Sequence, residues 1–160
     1  MSPPCEPPDL QAALKAIVDA NRYMTLATAD ADGRPWASPV GYATTDYREL
    51  FWVSKPEARH SRNVAVRPEL GIVIFDSTQP PGTGQGVYLS AMAKPVPEAE
   101  LDRGLAVFSA VSEAQGKGAW GRTDVEPPAR LRLYHALAAE HFVLSSRDER
   151  LRVELAGDSD

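Results

Sequence analysis

The sequence predicts a mainly β domain of the α+β class: an antiparallel β-barrel with helices packed on its outside. Two observations carry that expectation. Six or seven short segments rich in β-forming residues are separated by turn residues, mostly at hairpin spacing. Three helical stretches interrupt them without alternating strand by strand, so βαβ units and a parallel sheet are not expected.

Each element follows from local chemistry. Pro3, Pro4, Pro7 and Pro8 make residues 1–8 a poor helix and an expected mobile arm. Asp9 can cap a helix whose Leu10, Leu14, Ile17 and Val18 share one face, with Asn21 ending it. Residues 23–29 read as a strand, Asp30-Ala31-Asp32-Gly33 as a turn, and residues 34–42 as the returning strand. Pro35 and Pro39 give that strand an edge, a bulge or an unpaired N–H side. A polar turn over 44–49 leads to Leu50-Phe51-Trp52-Val53, which completes an expected three-stranded meander.

Ser54-Lys55-Pro56-Glu57 has the spacing of a capping box for a short helix running to about Val66, stopped by Pro68. Residues 71–75 form a continuous apolar strand, expected to be buried on both faces. Residues 79–84 are a loop and 86–95 another strand. Pro97 opens an amphipathic helix with Leu101, Leu105, Phe108 and Val111 on its buried side. A glycine-rich loop surrounds Trp120, and Pro127-Pro128 bars regular structure. Two closing strands are expected at about 131–138 and 140–145, an edge strand at 150–155, and a polar tail over 156–160. One domain over residues 9–155 is therefore expected.

Bulk properties narrow the function. The 160 residues are 43% hydrophobic and 24% charged, which is the globular range. A net charge of -5 argues against nucleic acid as a partner, since phosphate neutralisation needs a basic surface. The lone Cys5 gives no intrachain disulfide and no zinc site, as in a reducing cytosol. No signal-peptide pattern opens the chain, and no apolar run approaches the length of a membrane span, so a cytoplasmic location away from membranes is expected.

Gly82-Thr-Gly84-Gln-Gly86 resembles half of a dinucleotide fingerprint, but the glycines precede a strand where that motif must open a helix. His60, His135 and His141 have no metal-ligand spacing, and no Gly-x-Ser-x-Gly elbow exists. His135 reads as an ordinary strand histidine. Arg59-His60-Ser61-Arg62 is the most informative cluster. Guanidinium and hydroxyl donors suit a phosphate dianion, while a solvated basic helix face is the plainer alternative.

The order of segments carries a resemblance. Residues 24–40, reading MTLATADADGRPWASPV, resemble the opening hairpin of the pyridoxamine 5'-phosphate oxidase-like, FMN-binding split-barrel family. Phe51-Trp-Val-Ser54 followed by residues 58–64 resembles its third strand and phosphate-binding helix. Residues 68–75, 85–91, 133–136 and 140–144 resemble its remaining strands, so the likeness spans roughly residues 10–155. It implies a homodimeric split barrel with FMN between subunits. It implies that Ser38, Pro39, Val40, Trp52, Val53 and Ser54 line the isoalloxazine and ribityl chain, partly through backbone groups. Arg59, His60, Ser61 and Arg62 would hold the phosphate, and Gln85 would reach the flavin's polar edge. Trp120 would cover the ring from the other subunit or serve as a loop or core residue.

The chain departs from the vitamin B6 oxidases of that family, which carry an Arg-x-His substrate motif near the C-terminus. Here residues 146–152 read SRDERLR, without histidine. The expected activity is therefore hydride transfer between flavin and some small organic substrate. Relatives that use the deazaflavin F420, bind haem, or bind flavin without turnover mark the alternatives.

Overall fold

The computed structural model describes residues 9–83 and 85–157; the expected N-terminal arm over 1–8 and the last residues of the tail lie outside them. In chain order the elements are α1 (Leu10–Ala20), β1 (Tyr23–Ala29), β2 (Pro35–Gly41), β3 (Glu49–Ser54), α2 (Arg59–Val66), β4 (Glu69–Phe75) and β5 (Gly86–Pro95). A 3-10 turn (Glu98–Glu100) then precedes α3 (Leu101–Ala114), α4 (Arg122–Val125), β6 (Arg132–Leu144) and β7 (Arg150–Arg152).

All seven strands belong to one antiparallel sheet in the order β2-β1-β4-β5-β6-β3, with β7 paired to β6. The two ends of that path meet at a single bridge. Ala43, just beyond β2, exchanges backbone hydrogen bonds of 3.0 and 2.8 Å with Phe51 of β3. The sheet thus curls into a barrel that is closed at one point along its seam and split elsewhere, with the helices at its periphery.

α1 forms where its apolar spacing and its cap place it. The Asp9 carboxylate accepts from the Ala12 N–H, and Leu14, Ile17 and Val18 are buried. They join Met24, Leu26, Trp52, Ile74 and Val143 in the barrel's interior cluster. A second apolar cluster lies on the outer wall, where Leu101 and Leu105 of α3 cover Phe51 and Leu133. Gly104 lets α3 approach closely, because a Cβ there would meet side-chain atoms of Phe51 and Leu133 at 2.9 Å.

Several expectations are corrected. β3 does not extend a meander; it crosses the barrel to pair with β6, Phe51 opposite His135. β4 is buried on one face only, and Phe75 is 50% exposed. The two closing strands are one, the 13-residue β6, in which Ala139 is bypassed where the partners shift from Ser90↔Glu140 to Ala91↔Ala138. The Ser54–Glu57 capping box does not form. α2 begins at Arg59 after Ala58, which gives no side-chain cap. On α3, Phe108 and Val111 are half-buried rather than core. No helix among the described residues is long and apolar enough to cross a membrane.

Candidate functional site

The sequence-predicted phosphate cluster sits where β3 ends and α2 begins. The first N–H groups of any helix lack intrahelical acceptors. In α2 these belong to Arg59, His60 and Ser61, and the first N–H with an acceptor in the preceding turn is that of Arg62, bonded to the Ala58 carbonyl at 2.9 Å. With no side-chain cap supplied, this helix end presents free donors and a partial positive charge.

The side chains add to that character. The Ser54 hydroxyl, withdrawn from capping, lies 2.7 Å from His60 Nε2. Burial holds the His60 imidazole below its usual pKa, so the neutral ring is favoured at pH 7. Ser61 is 3% exposed, and its hydroxyl oxygen is buried with no hydrogen-bond partner. Leaving such a group unpaired is unfavourable, and sites that bind ligands are where it recurs. The Arg59 guanidinium carbon stands 4.3 Å from the centroid of the Trp36 ring. Arg59 and Arg62 flank an open hollow of about 410 Å³ that also meets Asp30, Asn63 and Val66. Asn63 is buried and anchors α2 to β1, its side-chain amide donating to the Thr28 hydroxyl at 3.0 Å. Free backbone donors, two arginines and an unpartnered hydroxyl form a donor set that fits a phosphate.

The other predicted residues fall in distinct places. Val53, on the outer face of β3, lines a hollow of about 220 Å³ at the barrel seam with Tyr23, Gly41, Phe108 and Trp120. Trp120 packs edge-on against Phe108 of its own chain, ring centroids 5.4 Å apart. Ser38, Pro39 and Val40 lie on β2 opposite Leu26, Thr25 and Met24. The Trp52 side chain is inside the barrel, stacked on Tyr134, so only its backbone faces the seam side. Gln85 is not brought to the cluster. It precedes Gly86, which pairs with Phe75 at the far end of β4, and it lines a hollow beside Ile17 of α1.

One buried polar cluster was not read from the sequence. Glu49 sits on the barrel's outer wall, accepts from both terminal nitrogens of Arg103 at 2.7 and 3.0 Å, and lies 2.6 Å from His135 Nδ1. The Arg103 hydrogen bonds hold the Glu49 carboxyl below its usual pKa, with His135 adding to the effect against the opposing influence of burial. These partners are 54 and 86 residues away along the chain, so only the fold assembles them.

A family model described as pyridoxamine 5'-phosphate oxidase matches residues 10–142, most of the chain, and the chain belongs to that family. A segment of 59 residues is 41% identical to the pyridoxine/pyridoxamine 5'-phosphate oxidase of Methylibium petroleiphilum, covering 37% of this chain and 28% of that protein. A heme binding protein from Mycobacterium smegmatis superposes with a TM-score of 0.70 at 21% identity, over 92% of this chain and 58% of the other. HutZ, the heme storage protein from Vibrio cholerae, gives a TM-score of 0.67 at 22% identity over 84% and 94%. The chain therefore spans well under two thirds of the length of the first two of these relatives. The structural likenesses establish a shared fold.

Proposed function

We propose that this chain binds FMN as one half of a homodimer and catalyses hydride transfer between the flavin and a small organic substrate. The observation that carries the reading is the unsatisfied start of α2, where the buried Ser61 hydroxyl has no partner beside uncapped helix donors. In this reading Arg59, His60, Ser61 and Arg62 hold the FMN phosphate, with Ser54 orienting His60. The ribityl chain and ring run back along β3, against backbone groups of Trp52, Val53 and Ser54 and against Ser38, Pro39 and Val40, toward the seam hollow beside Val53. When bound, FMN supplies the hydride-transferring centre at N5; the protein contributes position, electrostatics and exclusion of water.

One feature supports the dimer. The outer face of β1 and β4 is left bare, with Tyr23 65% and Phe75 50% exposed, and a second copy would cover it. Residues 146–152 lack the B6 oxidases' histidine motif, which speaks against pyridoxamine phosphate oxidation itself.

An absorbance spectrum of the purified protein is the first test, with flavin bands expected. A Soret band or the spectrum of a deazaflavin would replace this reading with a haem or F420 one. Turnover with a reduced nicotinamide and candidate acceptors then separates an oxidoreductase from a flavin carrier, which would bind without turning over.

A further inference from the structure

We propose that the hollow at the barrel seam is the substrate's place and that it selects a small, flat organic anion carrying one carboxylate; this names a substrate class for the flavin reading above and rests on it. The hollow begins at Val53, where the flavin path along β3 ends. Its volume of about 220 Å³ is below the roughly 300–1,000 Å³ of pockets for drug-sized ligands, so it suits a molecule of about one ring. Tyr23, Val53, Phe108 and Trp120 make its walls mostly aromatic and apolar, with Phe108 and Trp120 meeting edge-on. Walls of this kind favour a flat face over a flexible chain.

The polar end of the hollow carries one sign of charge. Lys117 lines it beside the Gln115 amide, and no carboxylate does. The end of α3 puts Lys117 there. Gly116 takes a φ of 77°, and the Gly116 and Lys117 N–H groups turn back to the Glu113 and Ser112 carbonyls at 2.9 Å each. The loop that follows is fastened to the same helix. The Ser112 hydroxyl donates to the Gly118 carbonyl at 2.8 Å, and the Ser109 hydroxyl donates to the Trp120 carbonyl at 3.0 Å and accepts from its N–H at 2.8 Å. The last carbonyls of α3 are thus taken by backbone donors, so the Lys117 side chain is not needed to cap them. It makes no ion pair or hydrogen bond among the described residues. An unpaired cation at an aromatic-walled hollow that holds no acid is complementary to a carboxylate. The contrast with α2 sets the charge of that anion. The start of α2 offers two arginines and free backbone donors, which suit a dianion, whereas the end of α3 offers one cation next to a helix terminus of partial negative charge. That end suits a monoanion and not a second phosphate.

Calorimetric titration of the full-length protein with benzoate and with benzamide, which share a shape and differ in charge, tests this in the flavin-free and the FMN-loaded protein. Benzoate is expected to bind about tenfold or more tightly than benzamide in both forms, the worth of one charge-assisted hydrogen bond, and to perturb the flavin absorbance in the loaded form. Lys117→Gln should bring benzoate down to the level of benzamide and leave FMN affinity in place, which also reports that the variant is folded; Lys117→Arg should keep the preference. Trp120→Ala should weaken both probes alike. Equal binding of the two probes, no binding of benzoate, or a preference that survives Lys117→Gln overturns the anion assignment and leaves the FMN site standing. Displacement of benzoate by FMN would mean that the flavin ring itself fills the hollow, and overturns the substrate role. Failure to bind FMN overturns the flavin reading and this one with it.

Discussion

The helices α1 and α2 both pack against the barrel, and they are finished in opposite ways. α1 is complete within the chain: Asp9 caps its first turn, and the Asn21 amide donates to the Ile17 carbonyl at its last. Its buried positions, Leu14, Ile17 and Val18, are all apolar. α2 is left open: no side chain caps it, and two of its three buried residues, Ser61 and Asn63, are polar. Asn63 is satisfied and Ser61 is not. A helix that serves only the fold has no reason to bury an unpaired hydroxyl in its first turn. The contrast marks α1 as framework and α2 as the place where something else completes the structure.

Substitutions that separate stability from ligand affinity sharpen this contrast. The largest effect is expected at Leu14, which is fully buried. Leu14→Ala should lower unfolding free energy by roughly 2–5 kcal/mol in urea titrations while the folded fraction keeps its FMN affinity. Arg59→Ala should do the reverse. FMN affinity should fall by about 1.5–3 kcal/mol, the worth of hydrogen bonds to a charged group, with stability changed by less than about 0.5 kcal/mol. Equal effects of both substitutions on stability and affinity would erase the distinction.

A subtler pair compares the two helix starts. Asp9→Ala removes a cap and should cost about 1 kcal/mol of stability. Ser61→Ala removes a buried hydroxyl that has no partner, so the flavin-free protein should be as stable as before or slightly more so, and FMN should bind about 1–1.5 kcal/mol more weakly. A marked loss of stability in Ser61→Ala would mean that its hydroxyl is already serving the fold.

The smallest effect concerns pH. His60 has its pKa lowered by burial, so the folded flavin-free protein binds fewer protons there than the unfolded chain. The stability this contributes is present above the usual imidazole pKa of about 6.5 and is lost as pH falls through it toward the folded value. A phosphate beside the ring favours the protonated form, so FMN affinity should rise modestly from pH 8 to pH 6.5. His60→Asn should flatten that slope in fluorescence titrations; an unchanged slope would place the phosphate away from His60.

Much of the framework was legible because it is local. The 3.6-residue spacing of Leu10, Leu14, Ile17 and Val18 and the Asp9 cap define α1, and glycine and proline punctuation bounds β5. What failed depends on distant partners. Leu50 to Val53 read as the next strand of a meander, yet β3 pairs with β6, a choice made by which faces meet inside the barrel. Two strands were expected at about 131–138 and 140–145, and pairing with β5 carries one strand through the break at Ala139 as a bulge. Ser54 had the spacing of a cap, but His60 takes its hydroxyl. The site divides the same way. Arg59 to Arg62 are contiguous and so visible, whereas Asp30 reaches their hollow from the β1–β2 turn and Trp36 meets the Arg59 guanidinium from β2, and only the folded chain brings them there.

The central claim is that the start of α2 is built for the phosphate of a flavin. The most direct measurement is the quenching of flavin fluorescence by the flavin-free protein, titrated in parallel with FMN and with riboflavin, which differ only by that phosphate. Two or more charge-assisted hydrogen bonds, each about 1.5–3 kcal/mol, predict FMN binding at least about 100-fold tighter than riboflavin, with Arg59→Ala narrowing the gap. Equal affinity for the two would contradict the account, because the donors at Arg59, His60, Ser61 and Arg62 would then have no part in holding the ligand.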